Sequence, residues 1–112
     1  MAELARPAVS GPPPELVSQP APPRPGEIDS YLSYCLSAWQ ENVPWLASEW
    51  PSMDAVERED NQLEWGIVED RSSMLQRWAA EGRMTPQQDE RFGALQRLIE
   101  RQRPILERLF AT

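Results

Sequence analysis

Histidine and lysine are both missing from the 112-residue sequence, and cysteine occurs once. Without histidine there is no His-dependent catalytic triad, no imidazole metal ligand and no side chain that titrates unperturbed near neutral pH. Without lysine there is no Schiff base and no phosphate-loop lysine. The lone Cys35 cannot close an internal disulfide, and its place in an apolar helical row makes it a buried, inert thiol. No apolar run reaches the roughly 18 residues of a membrane span, and the N-terminus lacks the charged and apolar regions of a secretory signal. A cytoplasmic protein without a membrane partner is the expectation. No stretch carries a family signature.

Charge is present and unevenly spread. The chain carries 18 acidic and 11 basic residues, a net charge of −7, which opposes nucleic acid as a partner. Residues 27 to 70 hold eleven acids and one base, Arg58, whereas residues 71 to 112 hold eight arginines and five acids. The middle is therefore strongly negative and the C-terminal part mildly positive.

Eight of the twelve prolines lie in residues 1 to 25, followed by Gly26. Residues 1–26 read as an extended arm of polyproline II character, either a solvated spacer or an arm that lies on a partner with Leu4, Val9, Leu16 and Val17 as candidate anchors. Residues 27–112 are left to fold, and a domain of that size buries roughly 60 to 70% of its unfolded surface, so a partner or a second copy is a natural complement.

Ile28, Tyr31, Leu32, Cys35, Leu36 and Trp39 recur at helical spacing and predict a first helix over about 28–42. Pro44 should end it by pushing Val43 out of the helical region. A short helical turn follows over 44–50, bounded by Pro51. A third helix is expected over 52–81, with Ser52 as N-cap and Gly82 as the stop. Met53, Val56, Leu63, Ile67, Met74 and Trp78 share one stripe of it, facing the last helix, with Asp60 near the middle and Asp70 and Arg71 at the edges. Trp65 points to the side opposite Leu63.

Gly82, Thr85, Pro86 and Gln88 spell a helix stop, a cap, a first helical position and a capping box. The last helix then runs over 86–110 with Phe92, Leu95, Leu98, Ile99, Leu106, Leu109 and Phe110 on one face, kinked at Pro104. So short a connection folds the last two helices into an antiparallel hairpin. The fold class is all-α: a small three-helix bundle with an antiparallel C-terminal helical hairpin, preceded by the proline-rich arm.

Glu57, Asp60 and Glu64 form a carboxylate row that a hard cation would accept, but the facing helix offers no second acidic set, so no metal and no cofactor are expected. Asp60 and Asp70 should instead face Arg97 and Arg101 in an ion-pair seam. Trp39, Trp45 and Trp50 read first as core that closes the end of a small bundle. The alternative is a docking surface, since tryptophan and arginine are over-represented among interface hot spots. The partner-binding candidates are then Trp45, Trp50 and, if the first helix leaves it uncovered, Trp65, with Leu16 and Val17 of the arm. These features point to a non-catalytic accessory or adaptor subunit that binds a larger protein. The alternatives are a self-associating bundle, an acidic metal-binding or hydrolytic protein, and a mimic of nucleic acid.

Overall fold

The computed structural model describes residues 21–112, and among these there are helices and no strand. After a coil and a turn, α1 spans Glu27–Ser37 and runs without a break into a π-helical turn, Ala38–Asn42. The helix α2 spans Val43–Glu49, a 3-10 turn covers Trp50–Ser52, and the long helices α3 (Ala55–Ala80) and α4 (Pro86–Phe110) complete the chain.

Pro44 does not expel Val43 from helical geometry. Val43 stands at φ −64 and ψ −48, and its N–H donates to the Ala38 carbonyl five residues back. Pro44 lacks an N–H and its ring crowds the preceding turn of a regular α-helix. Widening that turn by one residue gives the ring room, so the chain bends through a π turn instead of stopping.

The start of α3 also differs from the expected one. Asp54, not Ser52, is its N-cap: the Asp54 carboxylate accepts from the Glu57 N–H at 2.8 Å, and the Glu57 carboxylate accepts from the Asp54 N–H at 2.9 Å. Ser52 is held in the 3-10 turn, where its backbone lacks the extended conformation of a cap. At the other end Gly82 adopts φ 72, with its N–H on the Ala79 carbonyl and the Arg83 N–H on the Trp78 carbonyl. This is a Schellman closure, which needs the left-handed conformation that glycine adopts without strain. Thr85 and Gln88 form the anticipated reciprocal cap of α4. The helix α4 continues through Pro104, and Leu106 beyond it is buried.

The hairpin is antiparallel: Glu69 of α3 meets Arg103 of α4, and Gln62 meets the Phe110 carbonyl. Helix α1 lies against both long helices. One continuous core joins Leu32, Cys35 and Trp39 of the first helical stretch to Trp65, Leu75 and Trp78 of α3 and to Leu95 and Leu98 of α4. Small side chains permit the close approach of α1 to α3. The Cys35 Sγ lies 3.9 Å from the Val68 carbonyl and 3.6 Å from the Ser72 hydroxyl, which donates to it.

Helix α3 is rotated relative to the stripe read from its sequence. Its buried residues are Trp65, Val68, Leu75 and Trp78. Of the expected core stripe Trp78 is buried and Met53 and Met74 are half-buried against the core, whereas Val56, Leu63 and Ile67 are 65%, 70% and 47% exposed. The reason is area. An aromatic side chain buries about 150 to 250 Å², and the face bearing Trp65 adds Val68, Leu75 and Trp78 at helical spacing. That face outweighs one interrupted by Asp60 and Asp70.

Candidate functional site: an aromatic groove beside the π turn

The π turn determines which side chains of the first helical stretch reach α3. Trp39 turns fully inward and meets Trp65 edge to face, with ring centroids 5.0 Å apart. Trp65 is thereby covered from within the chain. Its indole N–H donates to Glu69 Oε2 at 3.3 Å, and the same carboxylate accepts both terminal nitrogens of Arg103 at 3.2 and 3.3 Å. Arg103 also stands over the Trp39 ring, 5.2 Å from its centroid. Four side chains from three helical segments thus form one aromatic and ionic knot.

On the outer side of this knot, the π turn and α2 overhang α3 and enclose a groove of about 370 Å³. Its floor is Leu46, Trp65 and Val68, and its rim is Tyr34, Asn42, Trp45, Asn61 and Glu64. Trp45 is 53% exposed and Tyr34 37%. Among the described residues Glu64 is the one charged residue that lines the groove. Behind the rim Arg71 stacks over Tyr34 at 4.3 Å and over Tyr31 at 5.1 Å, which fixes the tyrosine rings. The groove offers flat aromatic surface, side-chain amides and a carboxylate, a set suited to recognition of an apolar and cationic segment.

Of the tryptophans proposed for partner binding, Trp45 alone lies on the surface. Trp50 is buried: its ring packs on Phe110 at 5.5 Å, its indole N–H donates to the Thr112 hydroxyl at 3.0 Å, and Arg58 donates twice to its carbonyl. It anchors the C-terminal end of α4. Trp65 is buried under Trp39 as described and reaches the surface only as part of the groove floor. Leu16 and Val17 lie outside the described residues.

The expected ion-pair seam is also placed differently. Asp60, Asp70, Arg97 and Arg101 are all exposed and take part in no ion pair among the described residues. Helix α3 turns Asp60 and Asp70 outward together with Leu63 and Ile67. The pairs that join helices are Arg103 with Glu69 and Arg91 with Asp29, the latter 3.4 Å apart. Glu57 is engaged in the α3 cap, and Asp60 and Glu64 stand in solvent. Among the described residues no group of three or more acidic or cysteine side chains is placed to hold a metal ion.

Cys35 is fully buried, and burial pushes its thiol above its ordinary pKa, partly offset by the hydrogen bond from Ser72. A buried protonated thiol is a poor nucleophile. Among the described residues no helix is long and apolar enough to cross a membrane.

Compared with protein-family models, with curated proteins and with solved structures, the chain matches none of them.

Proposed function

We propose that this chain is a non-catalytic accessory or adaptor subunit that binds a larger protein partner through the exposed apolar residues of its acidic segment. One observation carries the reading. Among the described residues the exposed large apolar side chains are Tyr34, Trp45, Val56, Leu63 and Ile67. All five fall within residues 27 to 70, the segment with eleven acids and a single arginine. The outer face of α4 presents Arg97, Arg101 and Arg108 instead. Exposed apolar groups concentrated in one acidic segment of a small domain, at the groove rim and along the outward face of α3, mark surface used in association. The acids around them favour a cationic partner and raise its association rate.

Trp45 is the anchor in this reading, since exposed tryptophan beside a preformed groove is the residue type that most often dominates binding energy. The proline-rich residues 1 to 25 add to the same complex by tethering, which raises the effective concentration of a second contact.

The test is affinity capture from the protein's own cell extract with the full-length chain, alongside Trp45→Ser and a chain lacking residues 1 to 25. A stoichiometric second protein recovered by the wild type and lost with Trp45→Ser is the expected result. The truncated chain should keep its helical content and capture less partner. Recovery of the chain alone, at a multiple of 12.8 kDa, would replace the adaptor by a self-associating bundle.

A further inference from the structure

The outward face of α3 is a heptad seam with two charges set into it. Val56, Asp60, Leu63, Ile67, Asp70 and Met74 follow one another at alternating steps of four and three residues, the spacing of a coiled-coil seam. Val56, Leu63 and Ile67 are exposed, as are both aspartates, and Met74 is half-buried. From Val56 to Met74 the seam spans about 27 Å at the helical rise per residue. The helix beneath it is regular over all 26 residues, because its core side and both its caps are already satisfied.

Two like helices are the simplest occupants of such a seam, and here the charges oppose them. Laid antiparallel about Trp65, Leu63 would meet Ile67 of the second copy and Val56 would meet Met74, but Asp60 would meet Asp70 twice. Laid parallel, each aspartate would meet its own copy. Either arrangement buries four carboxylates in two like-charged layers. A partner helix with cationic residues at those layers removes the conflict and gains charge-assisted contacts. Glu59 and Glu64 flank the seam and add to the same preference.

We infer that this face takes a single amphipathic helix of another protein, with an apolar heptad seam carrying a basic residue at one a position and a second at the d position ten residues later. The pattern is the same for both orientations. In a parallel pair the two basic residues face Asp60 and then Asp70, and in an antiparallel pair they face Asp70 and then Asp60. The inference deepens the binding-module reading by naming the partner's chemistry.

The probe is a labelled synthetic peptide of about four heptads, with leucine and isoleucine at its seam and arginine at the two specified positions. A second peptide carries aspartate there. Titrated against the full-length protein and read by fluorescence anisotropy, the arginine peptide should bind one to one. It should bind at least about tenfold more tightly for each matched pair than its aspartate counterpart. Asp60→Arg with Asp70→Arg should invert that preference. Both side chains are exposed, so circular dichroism and the unfolding midpoint should stay at their wild-type values. Asp60→Leu with Asp70→Leu should make the chain dimerise, seen as concentration-dependent mass in sedimentation.

Equal binding of the two peptides, binding of neither, or a charge swap without inversion would overturn the inference. So would a wild-type dimer that Leu63→Glu dissociates. Partner capture that survives Leu63→Glu with Ile67→Glu but fails with Trp45→Ser keeps the adaptor reading and removes the seam. A seam that discriminates the peptides while no protein is captured removes the accessory role and keeps the seam's chemistry.

Discussion

Replacing Arg103 with methionine tests the knot that joins the three helical segments. The guanidinium makes two hydrogen bonds to Glu69 and lies over the Trp39 ring. The ionic side chains are 40% and 39% exposed, so solvent screens the pair and its contribution is about 0.5 to 1 kcal/mol. The cation over Trp39 adds about 0.5 to 1 kcal/mol. Methionine retains most of the apolar stem and its packing, so the variant should lose about 1 to 2 kcal/mol, and Arg103→Ala somewhat more. For a domain of this size each kcal/mol lowers the midpoint by about 4 to 8 °C. Urea unfolding followed by far-ultraviolet circular dichroism gives the value without relying on tryptophan emission, which the substitution itself perturbs. A double-mutant cycle with Glu69→Gln should return a coupling of about 0.5 to 1 kcal/mol that shrinks in high salt. A methionine variant within about 0.3 kcal/mol of the wild type, with no coupling in the cycle, would refute the reasoning and make Arg103 a solvated bystander.

Loss of the α3 cap in Asp54→Ala should cost about 1 kcal/mol in the same urea assay, whereas Ser52→Ala should be nearly neutral. Gly82→Ala should cost about 1 kcal/mol or more, because alanine meets the left-handed backbone penalty at φ 72 even though no atom lies within 4 Å of the added Cβ. Cys35 should resist thiol reagents under native conditions and react fully in urea, the two rates separating folded from unfolded chain. Its thiol pKa is raised by folding, so the unfolded chain releases its proton first as pH rises. The stability associated with the neutral thiol is therefore present below its ordinary pKa and is lost above it. Cys35→Ala should flatten that alkaline decline in the measured stability, and an unchanged decline would assign it to other groups.

What could be read from the sequence was local. The Thr85-Pro86-Gln-Gln88 cap and the Gly82 stop each depend on a few adjacent residues and on backbone hydrogen bonds inside one turn, and both occur as read. The apolar row of α1 was legible because one face of that helix is apolar and the other polar. Val43 was misread because the preference of a residue before proline is set by a regular α-turn, and the π turn changes the geometry to which the rule applies. The candidate site was half legible. Trp45 was legible as a candidate, but its exposure beside Tyr34 and Glu64 depends on how far α1 and α2 overhang α3.

Composition and spacing by themselves determined the all-α class, the stop of α3 and the start of α4, the reversal between them and the concentration of acid in the middle of the chain. These follow from capping chemistry, helical period and charge count, none of which needs a partner across space. The tertiary structure decided the rotation of α3, and with it the burial of Trp50 and Trp65, the ionic partners Glu69 and Arg103, and the outward turn of Leu63, Ile67, Asp60 and Asp70. Helix α3 has two apolar faces, and its own period cannot rank them. Which one is buried is fixed by the area that Trp39 and its neighbours can cover from the other side, a quantity that exists only once the helices have met.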